Sequence, residues 1–152
     1  MLMRLSTILP VPAARLWEEL QRPRLFVHVA APVIAFRPLA PDPLPERWAD
    51  GAHRGRMRLW GVVPLGAQWI VVSREEAGPD RFRMRDDGHG GLAKRWTHVM
   101  TVEPLGPDRC RYTDEVAVGA GVLTPIAWVF ARVFFAHRQR RWRALAARGF
   151  RY

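Results

Sequence analysis

The side chains in this 152-residue sequence best placed to do chemistry are His98, Asp114, His137 and Arg138. An aspartate beside a histidine fixes the imidazole tautomer and leaves the second ring nitrogen for proton transfer or for a ligand. His98, Asp114 and His137 would also suit a metal by type, but their spacing matches no local metal motif, and no metal or cofactor is expected. No nucleophile with a neighbouring base stands out to support covalent catalysis. Cys110 is the only cysteine. It excludes an internal disulfide framework and a zinc ribbon, and makes a reducing cytoplasm the expected compartment.

The elements that must position these groups follow from periodicity. Two-residue alternation runs over Arg56 to Val63, Ala67 to Arg74, Arg81 to Arg85, Arg95 to Val102 and Cys110 to Val118, with Gly, Pro or Asp turns between them. This is an antiparallel meander. Alternation sends Phe82, Met84, Trp96, His98, Met100, Val102, Cys110, Tyr112, Asp114 and Val116 to one face, and Arg81, Arg83, Arg85, Arg95, Thr97, Thr101, Arg111, Thr113 and Glu115 to the other. If the turn over 103–109 closes symmetrically, His98 and Asp114 fall opposite or diagonal on adjacent strands, within hydrogen-bonding reach.

Ahead of the meander, Leu2 to Leu9 reads as a strand. Pro12 opens a short helix with Leu16, Trp17 and Leu20 at helical spacing, and Pro23 ends it. A second helical piece at Leu25 to Val29, a strand at Val33 to Arg37 and a proline-rich loop over 38–51 follow. At the other end Thr124 caps a helix with Pro125 at its first position, unbroken to Ala147. Ile126, Trp128, Phe130, Val133, Phe134, Phe135, Trp142 and Leu145 cover more than half of its circumference. Arg138 lies near the middle of that arc and His137 at its edge. A buried arginine demands a carboxylate, and Asp114 is the only acid on the covered face of the last two strands, so an Arg138–Asp114 ion pair is predicted. The plan is α+β.

Composition bounds the rest. Lys+Arg 24 against Asp+Glu 14 gives a net charge of +10, and 49% of the residues are apolar. A chain of this length buries roughly two-thirds of its unfolded surface, enough for one domain over 1–152 without staples. The apolar run from Leu5 to Leu9 is cut by Pro10 and Pro12 and reads as strand, not leader. The uncharged stretch from Val116 to Ala131 is shorter than the ~20 residues of a spanning helix. Lys94 is the only lysine and no acid follows Glu115. The basic end, with Arg140, Arg141, Arg143 and Arg148 beside Trp142, Phe150 and Tyr152, suits an anionic membrane surface. Nucleic-acid binding is not expected, because the aromatic residues take the covered parity. The glycine-rich 86–91 segment lacks the residues of a phosphate loop and reads as a flexible hairpin.

The order of elements, with "LPVPAARLWEEL", "RLWGVVPLG", "RWTH", "RYTDEV" and "FFAHRQRRWRAL", resembles the START-related helix-grip superfamily, also called SRPBCC, over essentially the whole chain. That superfamily includes steroid-transfer domains, the birch-pollen allergen and polyketide cyclases and aromatases. The resemblance implies a curved sheet of six to seven strands gripping the C-terminal helix, two short helices after the first strand, and an apolar tunnel for a lipid-like or aromatic ligand. Trp60, Trp69, Phe82, Met84, Trp96, His98, Met100, Tyr112, Asp114, Phe130, Phe134 and His137 become its candidate lining, with ordinary core packing the plain alternative. Carriage of a small apolar ligand is the expected function. The alternatives are a cyclase-like enzyme moving a proton with His98 and Asp114, and an interaction protein using its basic end.

Overall fold

The computed structural model describes residues 1–39, 43–90 and 93–151, so part of the proline-rich loop, Gly91 and Tyr152 lie outside the described residues. Strand β1 (Leu2–Leu9) leads through α1 (Ala13–Leu20) and α2 (Pro23–Ala30) to β2 (Ile34–Pro38). Strands β3 (Gly51–Leu59), β4 (Val63–Glu76), β5 (Phe82–Gly90), β6 (Ala93–Pro104) and β7 (Cys110–Gly119) follow, and α3 (Thr124–Ala147) closes the chain. The strands form one seven-stranded antiparallel sheet in the order β1-β7-β6-β5-β4-β3-β2. The sheet curves around α3, which rests on β1, β7 and α2. This is the helix-grip architecture. No helix among the described residues is long and apolar enough to cross a membrane.

Residue alternation accounts for the grip. On β5, β6 and β7 the side chains Met84, His98, Met100, Val102, Cys110, Tyr112, Asp114 and Val116 are all buried, while most of the arginines between them reach solvent. The opposite face is less uniformly wet than alternation suggests: Thr101 and Thr113 are also buried, and Thr113 bonds Ser6 across β1 at 2.9 Å. Two apolar clusters result. One gathers Leu9, Leu16, Trp48, Tyr112, Trp142 and Leu145; the other gathers Met3, Ile34, Val116, Ala131, Phe134 and Phe135. Between Phe135 and Trp142, α3 presents Arg138 and Gln139, both buried. A polar belt therefore crosses the interior at that level.

Three local expectations are corrected. The Arg56-to-Val63 stretch is not one strand: β3 starts five residues earlier, at Gly51, and ends at Leu59, because Trp60 and Gly61 adopt positive φ of 49° and 74° and turn the chain. Past that turn, Leu65 forms a bulge between the pairs Arg58↔Pro64 and Met57↔Gly66; the extra residue resets the parity of β4. The glycine-rich 86–91 segment is no free hairpin, since Asp86 to Gly90 continue β5. Thr124 lies inside α3 rather than capping it; its hydroxyl accepts from the Ala120 N–H (2.9 Å) and donates to the Gly121 carbonyl (2.7 Å).

The apolar arc of α3 is also narrower than the wheel implies. Phe134, Phe135, Trp142 and Leu145 are buried, but Val133 is 67% exposed and joins Val122 and Val129 in an outward stripe, while Ile126, 70% exposed, stands at the edge of the covered side. The first two turns of the helix carry no charged residue on any side, so periodicity alone could not tell which side the sheet covers.

Candidate functional site

A cavity of about 410 Å³ lies between the sheet and α3. Its walls come from every layer: Leu25 and Phe26 of α2, Met57 and Leu59 of β3, Leu65, Trp69 and Ile70 of β4, Met84 of β5, Trp96 and Met100 of β6, and Ile126, Ala127, Phe130, Phe134 and Phe135 of α3. Trp48 closes one side. It is held there by its own N–H to the Gln21 carbonyl (2.8 Å) and by Arg74, which donates to the Trp48 carbonyl (2.6 Å) and bonds Asp50. Four polar side chains, Gln68, Asp86, His98 and Arg138, interrupt the apolar lining among the described residues.

His98 is fixed from behind. In the β6–β7 ladder it pairs with Val116, and Met100 pairs with Asp114, so histidine and aspartate are diagonal neighbours. His98 Nε2–H donates to Asp114 Oδ1 at 2.7 Å. Asp114 is fully buried and receives two further donors, Tyr112 Oη–H to Oδ1 (2.6 Å) and Gln139 Nε2–H to Oδ2 (2.9 Å). Burial pushes the Asp114 carboxyl up, but the hydrogen bond from His98, the charge of Arg138 and the Tyr112 hydroxyl outweigh it and hold it below the usual carboxylate value. Burial lowers the His98 pKa more than Asp114 raises it, so the imidazole is neutral at pH 7. The arrangement is a neutral, oriented histidine on the wall of an apolar cavity, with Nδ1 as its basic nitrogen.

The predicted Arg138–Asp114 ion pair is not formed. Gln139 holds the place assigned to Arg138 and also donates to the Leu5 carbonyl at 3.0 Å. Successive helical residues are about 100° apart, so the residue aimed at β7 is 139, and 138 turns toward α2 and the cavity. Arg138 is 5% exposed. Its guanidinium carbon lies 4.9 Å from the ring centre of Phe135, 5.8 Å from that of Phe134 and 5.9 Å from that of Phe26. It has no ion pair within 4 Å among the described residues, and its Nε has no hydrogen-bond partner.

Asp86 is a wall residue that alternation did not reach. The pairs Trp69↔His89 and Val72↔Asp86 bracket a gap in the β4–β5 ladder, and Asp86 Oδ1 accepts the Val71 N–H there at 2.8 Å. Burial raises its pKa to about 7, against the Val71 hydrogen bond and the charge of Arg138.

Of the candidate lining, Trp69, Met84, Trp96, His98, Met100, Phe130 and Phe134 reach the cavity. Asp114 and Tyr112 stand behind His98 in the closed interior. Phe82 stacks on Trp17 at 5.3 Å, away from the cavity. His137 bonds the Ala31 carbonyl through Nε2 at 2.9 Å and leaves the polar cluster. Trp60 is 63% exposed, thrown outward by its own turn. At the basic end, Arg140, Arg143 and Arg148 are exposed, Arg143 also reaching Thr7 Oγ1 (3.3 Å), whereas Arg141 donates to the His28 carbonyl (3.0 Å). Trp48, Asp86 and Phe26 were missed. A tryptophan in a proline-rich loop, with no other apolar anchor as large beside it, is the signal that could have marked the first.

The family model described as a domain of unknown function, DUF8410, matches residues 7–146, and the chain belongs to that family. No curated protein matches it in sequence. Among solved structures, a START superfamily protein from Mycobacterium smegmatis superposes with a TM-score of 0.65 at 12% identity, covering 97% of each chain. The Zhui aromatase/cyclase from Streptomyces sp. R1128 gives 0.65 at 11% identity, over 99% of this chain and 96% of that one. A truncated norcoclaurine synthase from Thalictrum flavum gives 0.60 at 8% identity, over 91% and 89%. The fold is therefore START-like, as the sequence motifs imply.

Proposed function

We propose that this protein binds and carries a small apolar or aromatic molecule between the sheet and α3, acting in the cytoplasm. The observation that carries this reading is the cavity itself. Close-packed interiors keep few voids larger than a water molecule, whereas about 410 Å³ here is lined by aromatic, Leu, Ile and Met side chains with four polar groups. That is the make-up of a small-molecule site. Approach to an anionic membrane through the exposed Arg140, Arg143 and Arg148 fits such a carrier, with Arg141 occupied within the fold.

A second reading, proton-transfer catalysis in the same cavity, is favoured by one observation. His98 is neutral and oriented by a buried carboxylate, as a general base requires. The aromatase/cyclase and synthase among the similar structures keep that reading in view. Organic extraction of the purified protein, followed by mass spectrometry and by native mass spectrometry of the intact chain, tests carriage. A bound apolar compound near one per chain is expected; an empty chain whose interior also excludes added hydrophobic dyes would sink the proposal.

A further inference from the structure

Resting on the carrier reading, we propose that the occupant is an acid, a flat apolar molecule whose carboxylate or comparable oxyanion is held by the Arg138 guanidinium. A guanidinium is permanently charged and carries several N–H donors and no acceptor. In this chain it is buried on the cavity wall, with no carboxylate within 4 Å among the described residues and with Nε unbonded. The rings of Phe135 and Phe134, on the same helix, supply cation–π attraction but accept no conventional hydrogen bond.

 The Phe26 ring reaches the same guanidinium from α2, so three aromatic rings stand around it, and among the described residues Nε meets no acceptor.

The two nearby acids do not complete it either. Asp114 already receives hydrogen bonds from His98, Tyr112 and Gln139, and its charge acts on Arg138 only from beyond ion-pairing distance. Asp86 is engaged by the Val71 N–H and carries its proton for much of the time at neutral pH. The wall therefore offers a desolvated cation with unused donors. A carboxylate matches those donors in a bidentate manner, and a charge-assisted bond in a dry site is among the stronger polar contacts. The aromatic walls at Trp69, Trp96 and Phe130 suit a flat body behind that head group.

The test compares 2-naphthoate with 2-naphthalenemethanol, which share a ring system and differ in the head group, by isothermal titration calorimetry at pH 7.5. Wild type should bind the acid at least about tenfold more tightly than the alcohol. In Arg138→Met the ratio should fall to near one, with the alcohol's affinity little changed. Equal affinities in wild type would overturn the acid assignment while leaving the carrier reading intact. Binding of neither probe would overturn both. Discrimination that survives in Arg138→Met would place the head group elsewhere and also refute the proposal. If Arg138→Met does not fold, the wild-type comparison decides alone.

Discussion

Asp86 and His98 load the folded state with opposite pH dependences. The folded pKa of Asp86, about 7, lies above its ordinary value of 3.8, so between those values the native state holds more protons than the unfolded chain. Its burial therefore costs nothing below that window and weakens the fold progressively as pH rises through it. His98 is shifted downward from 6.5, so it weakens the fold as pH falls below that value. Asp86→Asn keeps an oxygen for the Val71 N–H and removes the titration. The variant should melt at a higher temperature than wild type at pH 8, with the gap closing toward pH 4; a gap independent of pH would refute the assignment. At this scale the sequence was partly legible. His98 and Asp114 could be paired because strand parity and one hairpin register fix both. Asp86 could not be placed, because its run of Asp and Gly has the composition of a turn. Arg138 and Gln139 are one residue apart, and a wheel cannot decide which of two such neighbours meets the carboxylate.

Helix α3 is fastened by side chains that reach backbone carbonyls as well as by apolar packing. Trp128 Nε1–H donates to Leu2 (3.0 Å), Gln139 to Leu5, Arg141 to His28, and His137 bonds Ala31. These contacts set the depth at which the helix lies in the sheet, and with it the position of Arg138 on the wall. Gln139 does double duty, since the same amide also serves Asp114 Oδ2. Gln139→Leu leaves a buried carboxylate oxygen and the Leu5 carbonyl short of a donor, which should cost about 1–3 kcal/mol in chemical denaturation. A change below about 0.5 kcal/mol would show that water replaces the amide. The elements themselves were readable from proline positions and period-two runs. The β3–β4 boundary was not, because a tryptophan at positive φ gives no compositional sign of a turn.

For the whole molecule, the polar belt at Arg138 and Gln139 lies between two apolar clusters, and the sheet and α3 enclose the cavity together. The +10 charge is carried mostly outside this arrangement, on the solvent face of the sheet and the outer side of the helix end. The helix-grip plan was legible because element order and spacing define it. The volume of the cavity was not, since a gap depends on how side chains from many separated segments fail to meet. Ala127 lines that gap from α3, so Ala127→Trp should fill it without disturbing the sheet. The most direct measurement is a fluorescence titration of wild type and Ala127→Trp with the uncharged dye N-phenyl-1-naphthylamine, alongside their melting temperatures. Saturable binding near one dye per chain is expected in wild type, lost in the variant at similar thermal stability. Equal binding in both proteins, or none in wild type, would contradict it.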